Sequence, residues 1–104
     1  MVRKLLERDI ERHFCESVRK LGGIPEKFRM ADRRGVPDRI VLFPGGLVMF
    51  CELKRPGEVP RPDQVRVHRQ YGALGSPVAV LDSVEAVDAW VDGIRLLMAV
   101  NAAA

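Results

Sequence analysis

The stretch DRIVLFPGGLVMFCELK, from Asp38 to Lys54, decides how this chain folds. Two runs rich in β-branched and large apolar residues, 38–43 and 47–53, flank Pro44-Gly45-Gly46, which is the pattern of a β-hairpin. With Pro44 to Gly46 as the whole loop, Phe43 faces Leu47, and counting back along both strands sets Asp38 directly opposite Glu52. Opposed residues share a face of the sheet, with Cβ atoms ~5 Å apart. In the second run Val48, Phe50, Glu52 and Lys54 share one face. Because that face begins with apolar residues, it is expected to point into the core and to carry Glu52 and Lys54 with it.

A buried charge costs several kcal/mol unless it is paired or bound to a metal. Taken alone, Glu52-Leu53-Lys54 also fits a strand end whose charges reach solvent. Asp38 separates the two readings, since two carboxylates held this close repel and a fold that places them together usually has a cation between them. Oxygen ligands of this kind suit Mg²⁺ or Mn²⁺.

Outward from the hairpin, the 104 residues are enough for one domain with one core, read as a single unit spanning 1–104. Leu6, Ile10, Phe14, Val18 and Leu21 recur at helical spacing, which predicts a long amphipathic helix over 2–21, ended by Gly22-Gly23. Residues 24–30 have extended character, and Ala31-Asp32-Arg33-Arg34-Gly35 is a polar loop. After the hairpin, Pro62 fits the first turn of a helix running to Leu74 and closed by Gly75. Residues 77–81 read as a short buried strand. Asp82, with Glu85 three residues on, is expected to cap a last helix whose stripe is Val84, Val87, Val91, Ile94 and Met98, with 101–104 a frayed end. The order αβββαβα points to an α/β fold, a four-stranded mixed sheet flanked by helices.

Composition narrows the function. Apolar residues make up 47% and charged residues 30%, the balance of a soluble globular domain. No apolar run reaches the ~20 residues that cross a bilayer, and the first residues are too charged for a signal peptide, so a cytoplasmic protein with no membrane partner is expected. Cys15 and Cys51 lack the paired spacing of a zinc site and read as buried thiols. The formal charge of +3 is compatible with a polyanionic partner.

Several further segments, in order, complete a resemblance. Gly35-Val36-Pro37-Asp38 followed by Glu52-Leu53-Lys54 resembles the signature of the PD-(D/E)XK nuclease superfamily. Ile10-Glu11, Lys20-Leu21-Gly22-Gly23, Lys27, Arg33 to Arg39, Phe50 to Gly57, Pro62 and Gln64 extend the likeness, over nearly the whole chain, to the stand-alone, phage-type VRR-NUC domains. Cys51 departs from the pattern, where an aliphatic residue such as Val is usual. The resemblance implies a restriction-endonuclease-like core and metal-dependent hydrolysis of phosphodiester bonds. It assigns Asp38, Glu52 and the backbone carbonyl of Leu53 to the metal, Lys54 to the attacking water and the growing phosphate charge, Glu11 to the metal directly or through water, and Gln64 to the lining of the site. No organic cofactor is implied.

His68 lies four residues after Gln64, on the same side of its helix as Val67, Tyr71 and Leu74, and all of these are expected to face inward. It is either a half-buried histidine with its hydrogen bonds met or a contact to DNA. His13 is expected at the surface, and Trp90 and Tyr71 in the core. Among the many cations around the site, Lys27, Arg34, Arg39 and Arg55 are the expected phosphate contacts, since the last three neighbour the ligands in sequence. Together these readings give a structure-selective DNA endonuclease acting on branched DNA such as four-way junctions or flaps. A homodimer is expected, with the last helix and the apolar Leu96 to Val100 as its interface. The alternatives are a nicking or restriction-type nuclease that takes its specificity from a partner, and a nucleic-acid-binding module without catalysis.

Overall fold

The computed structural model describes residues 6–103. Elements follow in the order α1 (Glu7–Lys20), β1 (Ile24–Lys27), β2 (Arg39–Phe43), β3 (Leu47–Leu53), α2 (Pro62–Ala73), β4 (Val78–Leu81) and α3 (Val84–Ala103), the αβββαβα order read from the sequence. The strands form one sheet in the order β1-β2-β3-β4, antiparallel except for the parallel β3–β4 pair. α1 and α3 pack together on one face, and α2 covers part of the other.

The hairpin register is the expected one. Phe43 pairs with Leu47 and Arg39 with Cys51, so the loop is the three residues Pro44 to Gly46, and Asp38, one step beyond the ladder, lies across from Glu52. Gly45 and Gly46 both adopt positive φ, +85° and +82°, which lets so short a loop reverse the chain. Asp38 itself precedes β2 and is a bend residue, although its carbonyl still accepts a hydrogen bond from Phe28 N at 2.8 Å.

The core lies between the sheet and the α1–α3 layer, and its strand residues are Val41, Phe43, Cys51, Leu53 and Leu81 with Ile10, Phe14, Val18, Val87, Val91 and Ile94 from the helices. This reverses the expectation for β3. The face of Val48, Phe50, Glu52 and Lys54 turns away from this core, toward α2, and Val48 at its far end is exposed. Both faces of β3 are apolar because both are covered in part, so alternation alone does not tell them apart.

Other boundaries also shift. Leu6 precedes the first turn of α1, where Asp9 Oδ2 accepts a hydrogen bond from Leu6 N at 3.0 Å; the expected start at Val2 lies outside the described residues. Ser83, not Asp82, caps α3, its Oγ accepting from Ala86 N at 3.0 Å. The helix continues to Ala103 in place of the expected frayed end, and Ala104 is outside the described residues. β4 is a sheet edge, with only Leu81 fully buried. Leu74, expected inward, is 84% exposed because it is the C-cap of α2 and lies past the sheet-facing stripe. His13, expected at the surface, is half-buried and shares a 2.7 Å hydrogen bond with Asp88 that ties α1 to α3. Trp90 packs on Phe14 and Phe43 against the core, as expected, whereas Tyr71 is half-buried and packs on Phe50 on the opposite, α2 face of the sheet. Cys51 is buried, and that burial pushes its thiol up to about 12; Cys15 is only half-buried. Among the described residues no helix is long and apolar enough to cross a membrane.

Candidate active site

β2 begins at Arg39, and one step beyond that end of the ladder the chain of β3 meets the side chain of Asp38. Asp38 supplies the acceptor with its side chain, Oδ2 taking the Leu53 N–H at 3.0 Å. This bond fixes the carboxylate at the end of the sheet, and the register brings Glu52 to the same place. Burial first, and then the charge of Asp38, push the Glu52 carboxyl up to about 7, with Lys54 pulling the other way.

Glu52 and Lys54 are both buried despite lying on the α2 face, at 1% and 6% exposure. Lys54 Nζ stands 3.5 Å from Glu52 Oε2 and 3.8 Å from Glu58 Oε1, so the ammonium sits between two carboxylates. Gln64, in the first turn of α2, reaches the same Glu52 oxygen, its Nε2 donating at 2.7 Å. The amide cannot be turned around, because its Oε1 accepts the backbone N–H of Arg61 at 2.9 Å and so caps the helix. One turn on, His68 Nε2 lies 3.7 Å from Glu52 Oε1.

These groups open into a cleft of about 440 Å³ whose lining includes Glu7, Glu11, Lys27, Asp38, Glu52, Lys54 and Glu58. Cations and carboxylates thus share one mouth, as a site for a metal and a phosphate requires. Asp38 and Glu52 are oxygen donors whose mutual repulsion a divalent cation would relieve, and Glu52 Oε1 is buried without a hydrogen-bond partner. Mg²⁺ is commonly held by one or two carboxylates with water and phosphate completing its shell. The residues present therefore fit such an ion.

Glu11 does not join them as a third carboxylate. It is ion-paired to Arg39 Nη2, and among the described residues no group of three or more His, Cys, Asp or Glu side chains is gathered closely enough to hold a metal. It lines the same cleft. Arg39, expected to touch DNA, is 7% exposed and is engaged by Glu11 and by the carbonyl of Pro25 at 2.7 Å. The error has a simple cause: consecutive strand residues face opposite ways, so Arg39, next to Asp38 in sequence, points into the other layer. His68 likewise faces Glu52 and not the solvent, with 12% of its side chain exposed, which removes it from the DNA contacts.

Of the other expected contacts, Lys27 is exposed at the cleft, Arg34 is exposed with Asp63 at 3.9 Å, and Arg55 is exposed but held by Glu58 through two hydrogen bonds of 3.1 and 2.9 Å. Glu58 is a site residue that the sequence reading does not include. Arg55-Pro56-Gly57-Glu58 is a turn closed by Glu58 N to Arg55 O at 3.0 Å, with Gly57 at φ +80°. Pro followed by Gly is the sequence signal of that turn, and it folds residue 58 back beside Lys54.

No family model matches the chain. It is 51% identical over 82 residues, 79% of its length, to "Putative nuclease p44" of Acyrthosiphon pisum secondary endosymbiont phage 1, and spans 88% of that protein. A solved structure of a VRR_NUC domain superposes with a TM-score of 0.79 at 31% identity, covering 83% of this chain and 94% of that one. With this register, this sheet order and these two likenesses, the chain belongs to the VRR-NUC family.

Proposed function

We propose that the chain is a metal-dependent endonuclease that hydrolyses phosphodiester bonds in DNA, with branched DNA such as four-way junctions or flaps as its preferred substrate. The observation that carries this reading is the meeting of Asp38 and Glu52 beside the buried Lys54 at the floor of a cation-lined cleft. Nuclease activity is also what the name of the phage relative states. Asp38, Glu52 and the Leu53 carbonyl would hold Mg²⁺ or Mn²⁺, which when bound supplies Lewis acidity and a water of lowered pKa. Lys54 has its ammonium within the site, where it can orient the attacking water by hydrogen bonding and offset charge growing on the phosphate. Gln64 holds Glu52 in place, and the exposed Lys27 and Arg34 bind backbone phosphates without reading bases. A cytoplasmic location belongs to the same reading.

The test is incubation of purified protein with labelled duplex, flap, fork and four-way substrates, with and without Mg²⁺ or Mn²⁺. Branched substrates cut only with metal are the expected result, and Lys54→Ala is expected to cut none of them. Cleavage in EDTA would overturn the metal mechanism. Failure to cut any substrate would favour a binding module, and equal cutting of all of them a nuclease directed by a partner.

Incision of two strands of a symmetric branch needs two sites, hence a homodimer. Leu96, Leu97 and Val100 on the outer side of α3 are exposed and apolar, whereas Met98 packs against the core. Light scattering at micromolar concentration is expected to give twice the 11.7 kDa chain mass. A value of one chain mass would count against the dimer.

A further inference from the structure

We infer that His68 is a positioning residue that donates its Nε2–H to Glu52 Oε1, so that α2 holds both oxygens of this carboxylate from one helix face. The inference rests on the reading of Glu52 as a metal-holding group. Gln64 and His68, four residues apart, stand one above the other on the helix. Gln64 takes Glu52 Oε2 at 2.7 Å, and His68 Nε2 faces Glu52 Oε1 at 3.7 Å. Both of the latter atoms are buried, and neither has a hydrogen-bond partner. Buried polar groups left unpaired are costly and rare, and here one is an acceptor while the other can be a donor. Closing the gap by less than about an ångström, within the reach of a small ring rotation, satisfies both at once.

The chemistry of the ring fits. A neutral imidazole carries a single N–H. Only with that proton on Nε2 does the ring meet the orphaned oxygen. A carboxylate gripped at both oxygens has its remaining lone pairs aimed, and such supporting contacts commonly matter 10–100-fold in metal affinity.

Two measurements test this. Long-range ¹H–¹⁵N correlation spectra of the metal-free, ¹⁵N-labelled chain at about pH 8.5, where an ordinary imidazole is neutral, are expected to show the Nε2-protonated tautomer of His68. The Nδ1-protonated tautomer, or rapid averaging of the two, would overturn the inference. Mn²⁺ titration without DNA is expected to show His68→Leu, which keeps bulk but no donor, binding about 10-fold more weakly than wild type. His68→Gln, whose amide N–H reaches the same place, is expected to retain most of the affinity. Equal affinities for the Leu and Gln variants would overturn the inference. Should His68→Leu fail to fold in a thermal melt, the tautomer and the comparison of His68→Gln with wild type decide. A wild type that binds no Mn²⁺ would refute the metal reading, and the tautomer would still judge the contact.

Discussion

Glu52→Gln is expected to cut no DNA and yet to melt above the wild type in EDTA. The folded chain holds the Glu52 proton more tightly than the unfolded chain does, because the carboxyl is raised from an ordinary 4.5 to about 7 by burial and by Asp38. The stability gained from that proton is therefore full below about pH 4.5 and is lost as pH rises through about 7. At pH 8 the ionised carboxylate costs the fold about 3 kcal/mol, from a shift of this size at ~1.4 kcal/mol for each pH unit. The substituted amide would keep an acceptor for the Gln64 side chain and carry no charge. The advantage of the variant should be small near pH 5 and grow to about 10 °C in melting temperature by pH 8. Metal at about 100 times its dissociation constant should stabilise the wild type by ~2.7 kcal/mol and the variant far less. Cleavage should fall about a thousandfold or more, since several kcal/mol of transition-state stabilisation depend on the metal. Melts across this pH range, with and without Mg²⁺, check the stability, and the same preparations check the cutting. A variant that melts below wild type at every pH would show that the 3.5 Å pairing with Lys54 outweighs burial and repulsion.

Gly35→Ala is expected to destabilise the fold strongly. Gly35 has φ +85°, and a Cβ there would lie 2.6 Å from the carbonyl oxygen of Asp63 and 3.0 Å from Val67 Cγ2. The left-handed conformation costs a residue with a Cβ about 1 kcal/mol. The clash adds about 2 kcal/mol, because its nearest partner is the backbone of α2 and cannot simply rotate aside. A melting temperature lower by about 10 °C or more follows from about 3 kcal/mol in a domain of this size. Gly45→Ala is the control, with the same φ of +85° and nothing within 4 Å of the added carbon. Melts of the two variants separate the backbone term from the contact term. Equal losses would show that the approach of the Gly35 loop to α2 is not tight in solution. Cleavage should fall with Gly35→Ala alone, because this loop leads through the buried Pro37 to Asp38.

How much of this is legible in the sequence depends on whether a feature is local. The three-residue hairpin loop determines the opposition of Asp38 and Glu52, since loop length sets register and register sets facing pairs. Gln64 is placed correctly because Pro62 locates the start of α2. The buried side of β3 is not legible. Val48 and Phe50 on one face are as apolar as Met49 and Cys51 on the other, and only the position of α2, which leaves Val48 exposed, distinguishes them. Arg39 is misread when nearness in sequence is taken for nearness in space. Its true partners, Glu11 and Pro25, are far away along the chain. Glu58 escapes notice because a proline-rich loop reads as a connection and not as a turn with a destination. The cap of α3 slips by one residue because Asp82 and Ser83 are both good caps, and only the structure shows that Ser83 takes the role.

Gln64 is where shape and chemistry share a single side chain. One end of its amide begins a helix and the other end steadies the carboxylate proposed to hold the metal. Unwinding the first turn of α2 is therefore expected to loosen Glu52, and an ion held by Glu52, as proposed, would steady the start of α2. The first turn of the helix is thereby tied to the floor of the cleft through one amide.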